Sequence, residues 1–521
     1  MPKKTIVINS IIGGQSPSYY FGLENQFNTS LAIDPDFPIS SSNVRTSGIL
    51  VPIAYETFSS SAYTSPALWI TTNPKNTNIY AYLANGRILS YSSSLGSETN
   101  ERSVSNSSGN GFAYYNNFIY YARDTDIGRY GPLNNSPSLA FNDTFWTSAL
   151  SLTALTNTTY PSIRSTAMPN HPMYAHSDGK LYIGDVVNGQ GVIHFIKTKK
   201  VTDEGDTNDT VQPSTRIALD LPFGFYPTSI CSGPNGVDLA ILAIQTSSNT
   251  TVNQGNAALF LWDTVSDSFY KQISISDSLA TACINRNGQL YVFSGSANNG
   301  IRVIRYLGGD SWKTEDLIEE GTPPFAGAVD SVGDRLVWGA YTTIPETSSC
   351  VFSLGSKNPN LPMGRHNIIK TKSAGANPLT TALKLVQQES IAEPRLIVAW
   401  RDDATRGLDR LDTDNSETLG SVWRKLIVVG KRFVIRTIRY PLAKAVAANM
   451  TLTPKIYVDD ASSSTTLTVI NSTNYPNSDR FIRQEPKVFG KNNFELELKW
   501  TGTVSLPVST PIIIDLEILD P

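Results

Sequence analysis

The sequence predicts an all-β protein, a β-propeller of about seven blades followed by a jelly-roll-like β-sandwich. Three observations point there. A turn-plus-strand phrase returns along most of the chain, the composition is rich in turn formers and poor in charge, and apolar and polar residues alternate strictly near the end. The clearest copy of the phrase is Asn287-Gly288 followed by Gln289-Leu290-Tyr291-Val292-Phe293. An Asn-Gly pair suits the positive φ angles of a tight hairpin, and the run after it reads as a strand. The phrase recurs as Asp178-Gly179-Lys180-Leu181-Tyr182-Ile183 and Gly333-Asp334-Arg335-Leu336-Val337-Trp338, and more loosely at Asn116-Asn117-Phe118-Ile119-Tyr120 and Pro394-Arg395-Leu396-Ile397-Val398. With Ala67-Leu68-Trp69-Ile70 and Val237-Asp238-Leu239-Ala240-Ile241 filling the gaps, the units repeat every 45–60 residues or so, the spacing of propeller blades.

Charged residues are 17 % of the 521, below the usual quarter, while aromatics reach 10 %. A net charge of −3 gives no basic field, so nucleic acid is not an expected partner. Cys231, Cys283 and Cys350 are far apart and cannot all pair, and Cys283 and Cys350 sit in apolar runs, so buried free thiols are expected rather than a disulfide or a metal site. The opening Met1-Pro2-Lys3-Lys4-Thr5-Ile6-Val7-Ile8 lacks the apolar length of a signal peptide, and no stretch reads as a membrane span. Export by the general secretory route is not expected, and the Asn-x-Ser/Thr triplets at Asn142, Asn157, Asn249 and Asn449 then carry no glycan.

Residues 1–45 read as an N-terminal arm. Turn formers at Gly13-Gly14-Gln15-Ser16-Pro17 and Asp34-Pro35-Asp36-Phe37-Pro38 flank Tyr19, Tyr20, Phe21 and Phe27, which follow no helical or strand period. Such aromatics need a surface, either the neighbouring propeller or another subunit. Residues 46–415 hold the blades. Asn116-Asn117 joins Phe112-Ala113-Tyr114-Tyr115 to Phe118-Ile119-Tyr120-Tyr121 in the plainest hairpin. Ala258–Trp262 and Ser268–Tyr270 read as outer strands, Ile301–Tyr306 as a strand with one wet face, and Thr202–Pro213 as a solvated insertion whose acids lack calcium-loop spacing. About eight large buried side chains per blade at roughly 1.5–3 kcal/mol apiece cannot offset ordering costs of about 1–2 kcal/mol for each of its residues. Blades must therefore stack and close.

A shift to Asp, Arg, Gly and Thr at Arg401–Ser421 marks the domain boundary, and 421–521 is the sandwich. There Phe494, Leu496, Leu498 and Trp500 alternate with Glu495, Glu497 and Lys499, and Ile512, Ile514, Leu516 and Ile518 with Ile513, Asp515 and Glu517. Pro378–Gln388 and Ala443–Asn449 are the best helix candidates in a chain with little helical period.

No catalytic, cofactor or metal site is expected. His171, His176, His194 and His366 read as turn or strand-surface residues, since Pro172 breaks any helix between the first two and no Glu completes a zinc motif. There is no nucleophile elbow, phosphate-cradling loop or dinucleotide fingerprint. A glycan-binding or glycan-hydrolysing propeller is the alternative. Asp402-Asp403 with Arg401 and Arg406, or Asp124 and Asp126 with Arg123 and Arg129, would supply its carboxylates and arginines, although Gly309-Asp310-Ser311-Trp312 is only a fragment of the turn that decorates sialidase blades. The basic strand carrying Arg424, Lys425, Lys431, Arg432, Arg436 and Arg439 is either a sandwich face balanced by Glu495, Glu497 and Asp515 or a face that meets an acidic partner subunit.

Trp423-Arg424-Lys425, Phe433–Leu442 and Asn449–Asp460 together resemble the C-terminal domain of propeller-bearing virion proteins of tailed bacteriophages. Ile11–Pro17, Ile33-Asp34-Pro35-Asp36 and Ile70–Asn76 are similar to the same group. The resemblance covers both ends and the first blade, and none of these segments is a catalytic motif. It implies a tail-associated structural part, a ring, nozzle or tip. Such a part would be a homo-oligomer in contact with other tail proteins and possible host-surface glycan, assembled in the host cytoplasm, with no enzymatic activity and no membrane insertion. Tyr19, Tyr20, Phe21, Phe27, Arg424, Arg432, Arg436 and Arg439 are the candidate subunit contacts.

Overall fold

The computed structural model describes residues 2–519 except 17–24, 34–48, 58–64, 103–110, 148–170, 199–210, 246–255, 341–349, 356–364, 371–378, 387–394 and gaps of six residues or fewer elsewhere. Seven sheets, each built on four antiparallel strands, follow one another along the chain. They are blade 1 (67–102), blade 2 (112–147), blade 3 (173–223), blade 4 (225–275), blade 5 (279–318), blade 6 (329–370) and blade 7 (379–411, with 55–57). The first strand of each blade touches the first strand of the next, and Leu379–Val386 of blade 7 touches Ala67–Thr72 of blade 1. The ring is closed, and the fold is a seven-bladed β-propeller.

The recurring phrase marks the second strand in blades 2 to 7, where it follows the turn from the innermost strand. Asn116 and Asn117 both have positive φ (42° and 71°), as do Asn287 and Gly288 (50° and 79°), which is the backbone of a type I′ turn. Blade 1 departs from the rule. Ala67–Thr72 is its first strand, and its own Asn85-Gly86 pair lies one hairpin later, between Ile79–Leu83 and Ile88–Tyr91. Leu379–Val386, a helix candidate by sequence, is a strand buried on both faces except at Lys384, so neither a helical nor an alternating pattern survives in it. Ala443–Asn449 is not a helix either, and among the described residues the one helical turn is the 3-10 turn Ala326–Ala328. Of Thr202–Pro213 only Val211–Pro213 is described, as the outer strand of blade 3, and the acids of that insertion lie outside the described residues.

Blade-to-blade order rests on a repeated device. The innermost strands of blades 4, 5 and 7 each carry a one-residue bulge occupied by a buried threonine, Thr228, Thr281 or Thr381. A bulge turns the extra side chain out of the pairing register, here towards the next blade. Thr228 Oγ1 donates to Ala280 O of blade 5 at 2.9 Å, Thr281 Oγ1 to Pro324 O at 2.6 Å, and Thr381 Oγ1 to Ala67 O of blade 1 at 2.6 Å. Each such bond contributes about 0.5–1.5 kcal/mol. The third also spans the seam where the last blade meets the first. Beyond Thr281, the turn Ala326–Ala328 reaches across the ring and touches the first strands of blades 5, 7 and 1.

The N-terminal segment belongs to the body of the molecule. Lys3–Ile8 pairs antiparallel with Ile512–Ile518, from Lys3 with Glu517 to Ile8 with Ile512. Thr29–Leu31 lies between the two modules, pairing with Val422–Val428 on one side and, through Leu31 with Ile368, with the outer strand of blade 6 on the other. Tyr55–Thr57 then completes blade 7 by pairing with Thr405–Leu411. The predicted arm is thus a thread that runs from the C-terminal module into the propeller. Leu50 and Val508 bridge the same seam, and Ser421 Oγ donates to Ile53 O at 3.2 Å.

After blade 7 the chain forms two sheets around one core. One sheet joins Lys3–Ile8, Ile512–Ile518, Phe433–Pro441 and Phe481–Gln484, with Val488–Gly490 also on Phe433–Pro441. The other joins Val422–Val428, Asn493–Trp500, Leu452–Val458 and Thr465–Thr466. Phe433, Ile435, Ile438 and Tyr440 of the first face Trp423, Leu452, Leu496 and Trp500 of the second in a single apolar cluster that also takes in Ile8, Ile11 and Phe27. At 512–518 the alternation in sequence is matched by alternating burial, whereas Asn493–Trp500, expected to have one exposed face, is the central strand of its sheet and buries Glu495 and Glu497 as well as its apolar residues. The first half of the composition shift at Arg401–Ser421 still belongs to blade 7, where Arg401-Asp402 ends the strand Arg395–Asp402 and Thr405–Leu411 is the strand paired with it.

Candidate functional site

The candidate contact residues divide three ways. Tyr19, Tyr20 and Phe21 lie outside the described residues. Phe27 is 2 % exposed and packs its ring against Trp423 at 6.4 Å, so its surface is spent inside this chain rather than offered to a neighbour. The arginines line the C-terminal sheets and are held by carboxylates across the strands. Arg424 Nε lies 2.7 Å from Glu497 and its guanidinium sits over the Tyr457 ring at 5.6 Å. Arg436 pairs with Glu517 and Arg439 with Asp515, while Arg432 is exposed at the strand start. The basic stretch expected as one strand is two: Arg424 with Glu497 lies on one C-terminal sheet, and Arg436 with Glu517 and Arg439 with Asp515 lie on the other, with Arg436 and Arg432 exposed.

Two of these carboxylates tie strands together. Glu497 accepts from Arg424, Lys455 (3.1 Å) and Tyr457 (3.2 Å). Burial pushes its carboxyl up, but the two cations and the phenol outweigh that and hold it below the usual range. Asp515 is likewise held low, first by the Thr437 hydroxyl, then by Thr5 and Arg439, against a smaller upward push from burial. A carboxylate whose folded pKa is depressed stabilises the fold above its unfolded value, about 4 for these residues, and that contribution is lost as pH falls through the folded value. We expect the pairing of Lys3–Ile8 with Ile512–Ile518 to loosen below about pH 4, seen as faster amide exchange at Ile6 and Ile514 than in blades 4 and 5. Glu497→Gln, which leaves two cations against a neutral amide, should cost about 2 kcal/mol at pH 7 and flatten the acid limb of a denaturation midpoint-against-pH curve.

The two described acids of the alternative glycan site, Asp402 and Asp126, stand on different blades. Asp403 and Asp124 lie outside the described residues. Asp402, 3 % exposed, ends the second strand of blade 7, whereas Asp126 opens the third strand of blade 2, with blade 1 between them. Arg123 Nη1 donates to Asp143 O at 3.5 Å, and the Arg129 guanidinium lies over Phe118 and Phe145 at 4.6 and 4.4 Å, so both arginines are committed to their own blade. The buried Asp409 accepts from Trp400 Nε1 at 2.7 Å and holds the last two strands of blade 7 in register.

Three histidines expected at the surface are buried. His171, Asp185 and His194 are fully enclosed between blades 2 and 3, with Asp185 3.5 Å from a ring nitrogen of each histidine and the Trp146 ring edge-on to His194. His171 Nδ1 lies 3.2 Å from Gly184 O. His176 sits at the turn of blade 3, where Asp178 gathers His176 Nδ1 (3.2 Å), Lys180 Nζ (3.1 Å) and Tyr182 Oη (2.6 Å). Burial and the Asp178 carboxylate push the Tyr182 phenol far up, so it remains a donor. The side chain of His366 is outside the described residues. Among the described residues no group of three His, Cys, Asp or Glu is placed to hold a metal ion.

What the propeller presents outward is a set of turns on one end. Tyr115 Oη donates to Gly179 O, Ser177 Oγ to Gly236 O and Asn285 Nδ2 to Gly233 O, linking the first turns of blades 2, 3, 4 and 5 side by side. On this end Val237, Val265, Tyr270 and Leu307 are exposed, and Tyr270 Oη donates to Asp238 at 2.6 Å. Large apolar side chains held on rigid, cross-bonded turns suit contact with another macromolecule better than bond making. The turn formers around Val265 and after Leu307 place both residues in or beside loops, but only the folded blade shows that they stand exposed on one end.

No family model and no curated protein matches the chain. Solved structures do. The Cps50 (Swd1) β-propeller domain of Myceliophteria thermophila covers 68 % of this chain with 99 % of its own, at 10 % identity and a TM-score of 0.41. The Dos1 propeller covers 69 % with 95 % of its own at 9 % identity and 0.41, and the Neurospora crassa Pan2 WD40 domain 67 % with 90 % at 9 % and 0.39. All three are propellers. At these identities the likeness concerns the path of the chain alone, and the closed ring of seven sheets establishes the fold independently.

Proposed function

We propose that this chain is a non-catalytic structural subunit of a tailed-phage virion, a ring, nozzle or tip component of the tail, assembled in the host cytoplasm and acting as a homo-oligomeric scaffold. The resemblance of Trp423–Asp460 and of the N-terminal segments supports the virion assignment. The observation that carries the scaffold role is the thread of residues 3–57, which is a strand of the C-terminal module, then of the seam, then of blade 7. A propeller and a two-sheet module sewn together in this way make one stiff body, and the exposed turns of blades 4 and 5 give that body a contact end.

The test is to purify the full chain, image it by negative-stain electron microscopy, and probe purified phage particles with an antibody to it. Symmetric rings, or antibody bound at one place on the tail, are expected. A monomer at high concentration together with its absence from particles overturns the virion assignment.

A further inference from the structure

Cys231 and Cys283 lie fifty-two residues apart in sequence on the innermost strands of blades 4 and 5, and their sulfurs are in contact at 3.4 Å. Both thiols are buried and free. The strands Phe225–Ser232 and Leu279–Arg286 pack side by side, and Ser229 Oγ, which accepts from Cys283 N at 3.1 Å, fixes their offset next to the sulfur pair. A disulfide needs its sulfurs at about 2.05 Å, so the two atoms must close by little more than an ångström, within the reach of side-chain rotation. No blade-internal strand pairing joins residues 231 and 283, so a bond there would be a new covalent link between neighbouring blades.

We propose that Cys231 and Cys283 form an oxidisable dithiol that closes, under a hydroperoxide, into a disulfide stapling blade 4 to blade 5. The chemistry balances. One thiol, as thiolate, attacks the peroxide oxygen to give a sulfenic acid and one water; the second thiol displaces the sulfenic oxygen as a second water, forming the S–S bond. Two thiols and one hydrogen peroxide give one disulfide and two waters. Burial pushes the Cys231 thiol well above its usual range, so the first step is slow in the intact fold and the pair stays reduced in a reducing compartment. An oxidising medium closes it. The bridge would constrain the unfolded chain through a loop of some fifty residues, a length at which disulfides raise stability appreciably.

The full chain is treated with a small excess of hydrogen peroxide under native conditions, then denatured in iodoacetamide and mapped by peptide mass spectrometry. The expected result is one alkylated cysteine, Cys350, and a dithiothreitol-sensitive crosslinked peptide containing Cys231 and Cys283, lighter by two hydrogens than its parts. The melting midpoint should rise by a few degrees over the reduced protein. Cys350→Ser should keep both changes and Cys283→Ser should lose both. Three alkylated thiols after prolonged treatment, a bridge involving Cys350, or sulfinic acid on either cysteine without a crosslink overturns the proposal. The wild-type peptide map decides the matter even where a substituted chain does not fold.

Discussion

Removing residues 1–57 is expected to abolish the soluble, cooperatively folded state, a larger effect than any single substitution here. The deletion takes one strand from the sheet at Ile512–Ile518, the strand that joins Val422–Val428 to blade 6, and the outer strand of blade 7. It also removes the buried Ile8, Ile11, Phe27, Ile33, Leu50, Ile53 and Tyr55. At roughly 1.5–3 kcal/mol for each large apolar side chain, their loss is on the order of 10 kcal/mol, comparable with the whole net stability of a domain. The edges left behind at Thr405–Leu411 and Ile512–Ile518 are templates for pairing between chains. The measurement is soluble yield and light scattering of chain 58–521 beside the full chain. Aggregates or inclusion bodies are expected, with partial recovery when residues 1–57 are co-expressed as a separate piece. A monodisperse 58–521 melting at the full-length midpoint would show that the thread is not structural.

The legible part of this fold is the part written in short-range chemistry. Asn-Gly and Asn-Asn pairs dictate positive φ at two successive residues, so the second strands of the blades announce themselves. Strict alternation in sequence does the same at Phe494–Trp500 and Ile512–Ile518, although the first proves buried on both faces, and Glu497 and Asp515 could be named in advance as acids that balance the arginines, although those lie on two strands of different sheets. What sequence could not show depends on partners far away along the chain. Lys3–Ile8 has no alternation of its own and becomes a strand because Ile512–Ile518 offers an edge. Thr29–Leu31 and Tyr55–Thr57 are three residues each, too short to carry a period. Leu379–Val386 hides its nature because burial on both faces erases the pattern that separates strand from helix. The His171–Asp185–His194 cluster and the Cys231–Cys283 contact likewise arise where adjacent strands or blades meet, at separations no local motif encodes.

The second large effect is expected at Trp423, where the thread meets the C-terminal sheets. Its indole is fully buried; its backbone pairs with Ser30 on one side and Leu498 on the other, and the Phe27 ring packs against it tilted by 55°. Trp423→Ala leaves a cavity among backbones fixed by pairing on both sides, so little collapse can fill it, and a loss of about 3–5 kcal/mol follows. Phe27→Ala removes the other half of the contact at a similar cost, and because both empty the same space the double substitution should fall short of additivity by about 0.5–1.5 kcal/mol. Urea midpoints of the four proteins complete the cycle. The thread couples the C-terminal sheets to blade 6 through Leu31 and Ile368, so amide exchange at Phe352, which pairs with Ile368, should quicken in Trp423→Ala while Leu259 in blade 4 stays protected. Equal protection at Phe352 in mutant and wild type would mean that the two modules share a strand without sharing stability, and the single stiff body on which the scaffold reading depends would fail.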